Sequence, residues 1–339
     1  MEKKVSVIMS TYNTNKEFLK CAIESILNQD YNNFEFIIII DGGNDFDIIN
    51  SYDDKRIIVI KHDKSKGLPT SLNEAIKISK GDYIARMDSD DISLPFRLSS
   101  QVAYMESNSK VDICGTFYKY FDNDSKYKIN VLNSCEEVKA QLFSKNALAH
   151  PSVMIRASFL KKFDLLYSEE YKYSQDFDLW TRACEFGNIT ILPKICFLYR
   201  IHKCQISSNK KQEQMALYEN ILKRNLNRLN LAEENIKYLK MLNSTEKIDF
   251  SGLYDFIQLA INENNLIKFY DVDIFQNVLY NFYFLLILKN HYIVKYTFSK
   301  KVFKIWNIYN IKFLIKKSYY LFKEKLFLKF RMDGVRIYE

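Results

Sequence analysis

The chain has 339 residues, of which 47% are hydrophobic, and its net charge is +8. This length predicts two domains, with enough apolar residues for a substantial core. The six cysteines are scattered, without a CxxC pair or a suitably spaced histidine, which argues against a zinc site and a disulfide framework. The N-terminal stretch MEKKVSVIMSTYN has no long apolar region and no cleavage site, so we expect a cytosolic protein.

The first ninety residues alternate between short apolar runs and segments of helical periodicity. The apolar runs predict strands buried on both faces, at residues 5–9, 36–40, 57–60 and 83–87. Residues 16–28 and 69–79 place apolar side chains on one face of a helix. This order predicts an α/β fold with a mainly parallel sheet flanked by helices.

The pattern becomes mixed after residue 110. It predicts strands at 111–120, 151–155 and 196–201, and helices at 136–145 and 175–186. From about residue 206 the chain reads as helices joined by Asn-rich turns, for example 211–229 and 271–288. We therefore predict two domains, residues 1–205 and residues 206–339.

Polar residues follow three of the predicted strands, at Thr11–Asn13, Asp41–Gly43 and Asp88–Asp91. In parallel sheets ligands bind beyond the carboxyl ends of the strands, so these groups mark a candidate site. The stretch Asp88-Ser-Asp-Asp brings together oxygen ligands that suit Mg²⁺ or Mn²⁺. On its own it fits a solvated turn that caps the next helix better than a metal site. The sequence lacks the GxxxxGK[ST] and GxGxxG loops of other nucleotide-binding proteins.

Six stretches in a fixed order resemble one known family: VSVIMSTYN, NFEFIIIIDGG, KGLPTSLNEAIKISKGDYIARMDSDDISLPFRLSSQ, HPSVMIR, SQDFDLWTRACEFGNI and YRIH. Over about residues 3–205 the chain is similar to family 2 inverting glycosyltransferases of the GT-A fold. The resemblance implies this nucleotide-diphospho-sugar transferase fold, a nucleotide sugar donor and a divalent cation, Mn²⁺ or Mg²⁺.

The resemblance also implies a set of donor-side residues. Those expected to contact the nucleotide sugar are Thr11, Tyr12, Asn13, Asp41, Lys66, Gly67, Arg86, Asp88, Asp91 and Arg200. For Arg86 a salt bridge within the aspartate cluster is an equal alternative, and Gly67 alternatively sets a turn. Asp90 and His202 are the expected metal ligands, although His202 alone would more often be structural.

The resemblance places the catalytic base at Asp176, which would remove the proton of an acceptor hydroxyl. Its alternative role is a charge that complements the N-terminus of a helix. His150 and Trp180 are expected on the acceptor side, although burial of Trp180 is an equal possibility. Gln175 stands where the family usually has Glu, which puts the orientation of the acceptor in doubt.

The C-terminal residues 289–331 carry twelve Lys or Arg and one acid, interleaved with aromatic and aliphatic residues. Such a basic amphipathic segment suits an anionic membrane surface, so we expect peripheral attachment to the inner face of the cell membrane. A helical domain packed on the catalytic domain is the alternative. The apolar run 278–288 is too short to span a bilayer, and no nucleic-acid-binding module is visible.

The expected activity is metal-dependent, inverting transfer of one hexose, from a UDP-linked donor, to a lipid-linked saccharide in cell-surface polysaccharide synthesis. A sugar nucleotidyltransferase is an alternative, but it would need a Gly- and Arg-rich phosphate loop near the N-terminus. A non-catalytic, membrane-associated scaffold is a second alternative. The carboxylates Asp88, Asp90 and Asp176 argue against it.

Overall fold

The computed structural model describes residues 2–121, 127–128, 134–202, 211–242 and 248–289. Backbone contacts divide the chain into two units. The first comprises Met1–Lys128 and Asn146–Ile221, and the second comprises Ile129–Lys145 and Leu222–Glu339. The sequence predicted a single boundary near residue 205. The contacts instead place it after Ile221 and assign residues 129–145 to the second unit.

The strands belong to the first unit. They are β1 (Val5–Thr11), β2 (Phe34–Ile40), β3 (Ile57–Lys61), β4 (Tyr83–Asp88), β5 (Ile92–Ser93), β6 (Val111–Phe121), β7 (Tyr127–Lys128), β8 (Met154–Arg156) and β9 (Asn188–Arg200). The four predicted strands of the first ninety residues lie within β1–β4. The prediction at 151–155 is only partly correct, because a 3-10 turn, His150–Ser152, precedes the short β8.

The described strands form one sheet in the order β3-β2-β1-β4-β8-β6-β9-β5, with β7 paired to β6. The pairs within β1–β4 are parallel, as predicted. The second half is mixed, because β8 runs antiparallel to both β4 and β6, whereas β6 and β9 are parallel. The sheet is therefore parallel in its first half and mixed in its second half, where the long β6–β9 pair is parallel.

The helices have the following bounds: α1 (Lys16–Leu27), α2 (Phe46–Asn50), α3 (Leu68–Ile78), α4 (Arg97–Ser107), α5 (Cys135–Leu142), α6 (Ala157–Phe163), α7 (Gln175–Ala183), α8 (Lys211–Arg228), α9 (Ile236–Met241), α10 (Phe250–Ile267) and α11 (Val272–Lys289). Helix α1 begins after Asn15, whose side chain accepts hydrogen bonds from the N–H groups of Glu17 and Phe18. Its buried residues Leu19, Ile23 and Ile26 pack into the core with β1 and β2.

The strand register brings the polar residues to one edge of the sheet. Thr11 pairs with Ile40, the residue before Asp41, and Ser10 pairs with Asp88. The carboxyl ends of β1, β2 and β4 are therefore level. Because all seven residues of β2 are buried, its apolar side chains fix this register from both faces.

The second unit is helical among its described residues. Helix α5 packs against α11, which explains why residues 129–145 group with the C-terminal part. The Asn225 side chain of α8 donates hydrogen bonds to the carbonyls of Leu142 and Phe143 at 2.9 and 3.1 Å. None of the described helices has both the length and the apolar character needed to cross a bilayer. The basic segment 289–331 lies, apart from Lys289, outside the described residues.

Candidate functional site

Three carboxylates meet where β4 ends. One oxygen from each of Asp88, Asp90 and Asp91 lies within 4.8 Å of the others. Asp88 and Asp90 are partly exposed, whereas Asp91 is buried. One oxygen of Asp91, Oδ2, is buried and has no hydrogen-bond partner in the described part of the chain, although buried polar atoms are normally paired. The structure thus brings together three of the residues that the sequence predicted for the donor side and the metal.

Burial and mutual repulsion act on these carboxylates together. Burial raises the pKa of Asp91 well above its usual value, and the charges of Asp88 and Asp90 raise it further. The pKa of Asp88 is also raised, chiefly by burial, although the neighbouring Arg86 opposes this. Clustered oxygen ligands whose charges are unfavourable to one another fit a divalent cation such as Mg²⁺ or Mn²⁺.

Arg86 lies beneath the carboxylate cluster and is only 3% exposed. Its Nη2 forms an ion pair with Asp88, so the predicted salt bridge within the cluster is present. The Nε and Nη1 atoms have no hydrogen-bond partner among the described residues. Asp88 lies two residues further along β4, on the same face of the strand. Arg86 therefore offsets part of the negative charge of the cluster.

The end of β9 is tied to the same cluster. The N–H of Arg200 donates to Asp91 Oδ1 at 2.7 Å, and its Nε donates to the carbonyl of Asp90 at 2.6 Å. The guanidinium lies between the rings of Phe18 and Phe121, 4.0 and 4.2 Å from their centroids. These contacts hold Arg200 beside the aspartates, where a diphosphate contact stays a prediction.

His202 also reaches the cluster. Its Nε2 lies 2.7 Å from Asp90 Oδ2, and its ring centroid lies 5.3 Å from that of Phe18. The two residues that the resemblance implied as metal ligands are therefore in direct contact, although 112 positions separate them. Phe18 was predicted only as part of the apolar face of α1. Its contacts with Arg200 and His202 add it to the site.

The structure shows which groups Asp41 contacts. Its side chain is almost completely buried, with 3% exposure, and both oxygens are engaged. Oδ1 accepts from His62 Nδ1 and the Lys66 N–H, and Oδ2 accepts from Ser65 Oγ and the Gly67 N–H, at 2.7 to 2.9 Å. Asp41 therefore holds the 65–67 loop in place, and its contact with a nucleoside stays a prediction.

Hydrogen bonds decide the pKa of Asp41. Burial alone would raise it, but the four donors outweigh burial and lower the pKa to about 2. The partner His62 was missed by the sequence analysis. Its other nitrogen, Nε2, lies 2.8 Å from Glu74 Oε2. His62 therefore links Asp41 to Glu74, which lies on α3.

The loop beyond Asp41 holds two predicted donor-side residues. Gly67 has a φ of +93° and forms the N-cap of α3, so it makes the turn that its sequence context suggested. Lys66 is half exposed, and its Nζ lies 3.6 Å from Glu74. Lys66 is thus free to move toward a ligand, because such an exposed ion pair is weak.

Residues after β1 have different surroundings. Thr11 is buried, and its hydroxyl donates to Asp45 Oδ2 at 2.6 Å. It therefore supports the start of α2 and does not face solvent. Tyr12 is exposed. Asn13 has a φ of +51°, and its Oδ1 accepts from the N–H of Asn44 at 3.1 Å. Tyr12 therefore presents an exposed aromatic ring that is accessible to a ligand.

Asp176 lies in the first turn of α7 and is partly buried. Burial raises its pKa. The N–H of Phe177, the Asn146 side chain and the charge of Arg86 act in the opposite direction. The Asp176 charge in turn contributes to the raised pKa of Asp88. The predicted base therefore shares its electrostatic environment with the carboxylate cluster.

For Trp180 the structure shows burial, which was one of the two possibilities left open by the sequence. Its side chain is 0% exposed, so it packs inside the first unit. His150 is also buried. Its Nε2 lies 2.8 Å from the Tyr167 hydroxyl, and burial holds its pKa well below the usual value. His150 is thus a neutral part of the wall near Asp176.

Two neighbours of Asp176 on α7 are structural. Asp178 is buried, and its Oδ2 accepts two hydrogen bonds from Arg182 at 2.9 and 2.7 Å. This ion pair excludes it as the base. Gln175 is 6% exposed, and its Oε1 has no hydrogen-bond partner among the described residues. The neutral amide adds no charge next to Asp176, unlike the Glu that the family usually has.

Comparison with known proteins identifies relatives of this chain. The sequence profile "Glycosyl transferase family 2" matches residues 6–163. An uncharacterized glycosyltransferase of Methanocaldococcus jannaschii is 37% identical over 231 residues, which cover 63% of this chain and 77% of the relative. The Escherichia coli protein named UDP-Glc:alpha-D-GlcNAc-diphosphoundecaprenol beta-1,3-glucosyltransferase WfaP is 30% identical over 222 residues, 65% of this chain and 85% of the relative.

Two solved structures are similar in fold. TarS residues 1–349 of S. aureus, in complex with UDP-GlcNAc, has a TM-score of 0.56 and 19% identity over 81% of this chain and 90% of that one. The mannosyltransferase PcManGT of Pyrobaculum calidifontis, in complex with GDP-Man and Mn²⁺, has a TM-score of 0.52 and 11% identity. That match covers 96% of this chain and 88% of the neighbour. The predicted GT-A architecture is confirmed.

Proposed function

The chain belongs to glycosyl transferase family 2, and we propose that it transfers one hexose from a UDP-linked sugar to a hydroxyl of a lipid-linked saccharide, with inversion at the anomeric carbon. The observation that carries the proposal is the group of acidic side chains at the β4 end, together with Asp176 in the same electrostatic environment. An inverting transfer needs these two parts, one for the diphosphate and one for the acceptor.

In this proposal Asp176 accepts the proton of the acceptor hydroxyl while the acceptor oxygen attacks the anomeric carbon. The bond from that carbon to the diphosphate oxygen breaks on the opposite face, and its electron pair leaves with the diphosphate. Arg86 and Arg200 place positive charge on the donor side, next to the aspartates.

The clustered oxygens fit a divalent cation, so Asp90, with Asp88, Asp91 and His202, would hold Mn²⁺ or Mg²⁺. When bound, the cation would stabilise the negative charge on the leaving diphosphate. Asp91 is more buried than its neighbours and receives a hydrogen bond from Arg200, so it would support the metal site from below.

The acceptor and the setting are proposed from relatives. WfaP is named for a diphosphoundecaprenol-linked acceptor, and a second relative, the Escherichia coli protein WbnJ, is named for O-antigen biosynthesis. We extend both to this chain as transfer to a lipid-linked saccharide in cell-surface polysaccharide synthesis. The basic, aromatic segment 289–331 would bring the enzyme to the anionic inner face of the membrane.

The experiment that tests this function compares Asp176→Asn with the wild-type protein. We expect the variant to bind UDP and Mn²⁺ with unchanged affinity and to lose at least about 100-fold in the hydrolysis or transfer of the sugar, because general bases contribute about that much. A panel of UDP-glucose, UDP-GlcNAc and GDP-mannose would first identify the donor. Calorimetry would measure binding, and release of nucleoside diphosphate would measure turnover.

The matched control is Asp164→Asn. Asp164 is exposed at the end of α6 and has a left-handed backbone, which Asn adopts readily. This control should retain full turnover. Normal turnover by Asp176→Asn would remove Asp176 from the mechanism, and an absence of turnover with every nucleotide sugar and acceptor would favour the non-catalytic scaffold.

A further inference from the structure

A side chain outside the family motifs holds Asp176. Asn146 lies between α5 and the 3-10 turn His150–Ser152, and its Nδ2 donates a hydrogen bond to Asp176 Oδ2 at 2.7 Å. On the other side, Asn146 Oδ1 accepts from the N–H of Leu148 at 3.2 Å. This second hydrogen bond fixes the orientation of the amide, because the carbonyl oxygen must face an N–H and the NH₂ must face the carboxylate.

The surroundings of Asn146 are packed. Its backbone N–H contributes a hydrogen bond to Tyr218 of α8, whose ring stacks on Phe177 at 4.6 Å. Phe177 follows Asp176 directly in α7. The segments that carry the amide and the carboxylate are therefore joined through Tyr218.

Several charged or titratable groups face Asp176 besides Asn146. Arg86 and Asp88 do so from β4, Tyr167 from the segment before α7, and Tyr218 from α8. Arg86 supplies the opposing positive charge. Asn146 supplies the neutral side-chain hydrogen bond, and its donor counteracts the effect of burial on the pKa of Asp176.

We propose that Asn146 is a positioning residue for sugar transfer, which holds Asp176 Oδ2 so that Oδ1 faces the acceptor hydroxyl and which favours the ionised carboxylate. This inference rests on the proposed role of Asp176 as the base. The step itself is the one described above, in which the acceptor proton passes to Asp176 and the diphosphate leaves with the electron pair. Asn146 exchanges no proton.

Two substitutions of Asn146 test separately whether it positions Asp176 and whether it favours the ionised carboxylate. Asn146→Ala removes the donor, so the ionised form of Asp176 loses one hydrogen bond. We expect kcat to fall about 10-fold and the acid limb of the kcat profile to move up by about one pH unit, since a hydrogen bond to a charged group contributes roughly that much. Asn146→Asp keeps the shape but places a second carboxylate beside the first, so the limb should move further in the same direction.

The measurement is the rate of nucleoside diphosphate release between pH 5 and pH 9, with the donor that the panel identifies. The affinity for UDP and Mn²⁺ should not change, because Asn146 contacts the base and not the carboxylate cluster. Asn188→Ala is the matched control. Asn188 lies at the start of β9, and its side-chain amide donates a hydrogen bond to the carbonyl of Lys110. Removal of this amide should leave the acid limb in place.

The possible results are distinct. An unchanged acid limb in both Asn146 variants overturns the inference, whether or not kcat falls, because a purely structural role lowers activity without moving the limb. If Asn146→Ala does not fold, the nearly isosteric Asn146→Asp still decides the question. Normal turnover by Asp176→Asn would instead overturn the proposed function, whereas an inactive Asp176→Asn with unaltered Asn146 profiles would overturn this inference alone.

Discussion

Asp41 and Asp176 are carboxylates in opposite environments. Four donors surround Asp41 and lower its pKa to about 2 in spite of burial. At Asp176 burial is the larger effect, and the pKa is raised. A low pKa suits a residue that anchors a loop at every physiological pH, and a raised pKa suits a group that accepts a proton during turnover. Both residues are aspartates, so only their different neighbours give them different roles.

The pKa of Asp41 predicts a pH-dependent contribution to stability. Its pKa is lower in the folded state than the usual value of about 3.9, so the contribution is fully present above pH 4 and is lost as the pH falls from about 4 to about 2. Asp41→Asn should lower the free energy of unfolding by about 2 kcal/mol at pH 7. Urea unfolding at a series of pH values would measure it.

The difference between Asp41→Asn and wild type should shrink toward pH 2. Asp47→Asn is the control, because Asp47 is exposed on α2 and should show little effect at any pH. A loss of stability that stays constant from pH 7 to pH 2 would contradict the assignment of Asp41 as an ionised anchor.

Arg86 illustrates where sequence reasoning had to leave a choice open. The spacing along β4 put Arg86 and Asp88 on one face, which was compatible with both a salt bridge and a donor contact. The structure contains the salt bridge and leaves Nε and Nη1 without a partner among the described residues. Breaking a buried pair would leave Asp88 uncompensated, so Arg86 has a structural role in addition to the predicted donor contact.

At the scale of elements, α1 contributes more than core packing. Its first turn carries Phe18, which is partly exposed and contacts both Arg200 and His202 from β9 and the residues that follow. Helical periodicity alone assigned Phe18 to the apolar face. That assignment was incomplete, because a position at the edge of a helical face can contact either the core or a neighbouring site.

We expect Phe18→Leu to weaken Mn²⁺-dependent binding of UDP by about threefold to tenfold. Leu keeps most of the apolar volume but removes the ring that holds the Arg200 guanidinium, and such cation–π contacts contribute roughly 0.5–2 kcal/mol. Titration calorimetry with UDP and Mn²⁺ would measure the change.

Phe46→Leu provides the comparison for Phe18→Leu. Phe46 also has a cation above its ring, with Lys61 Nζ at 5.3 Å from the ring centroid, but this contact joins α2 to β3 and does not involve Arg200 or His202. Equal loss of binding in both variants would show that the Phe18 effect is not specific to Arg200 and His202.

The elements that position the site were largely predictable. Strands β1, β2 and β4 are short apolar runs, and because they are parallel their carboxyl ends had to meet at one edge. Strand β8 was predicted only in part, since the 3-10 turn His150–Ser152, which contains Pro151, precedes it. The antiparallel pairs of β8 depend on contacts between distant parts of the chain, which local periodicity does not encode.

At the scale of the whole molecule, the division into two units depends on packing, whereas the charge distribution depends on the sequence alone. The assignment of residues 129–145 to the second unit follows from packing of α5 with α11. The concentration of basic residues at 289–331 is a property of the sequence. Its proposed interaction with an anionic membrane therefore rests on composition and remains to be measured.

Charge reversal tests this membrane interaction. Lys316→Glu with Lys317→Glu should reduce co-sedimentation with vesicles that contain anionic phospholipid at least about tenfold, because each basic residue near such a surface contributes about 1 kcal/mol. Binding to vesicles of neutral phospholipid should be weak for every variant.

The control for charge reversal is Lys161→Glu with Lys162→Glu, which makes the same change in net charge at exposed positions of α6. It should keep most of the vesicle binding. Equal losses in the two double variants would point to net charge alone, and no loss in the C-terminal variant would remove the segment 289–331 from membrane attachment.

The sequence by itself determined the α/β class, the aspartates at the end of β4, Asp176 as the candidate base and the basic C-terminal segment, because these depend on local pattern and on ordered motifs. Only the tertiary structure decided that Asp41 is enclosed by His62 and the 65–67 loop, that Trp180 is buried, and that Asn146 and Phe18 support the site. These contacts join residues that are distant in the chain, and burial and hydrogen bonding there depend on which elements the fold brings together.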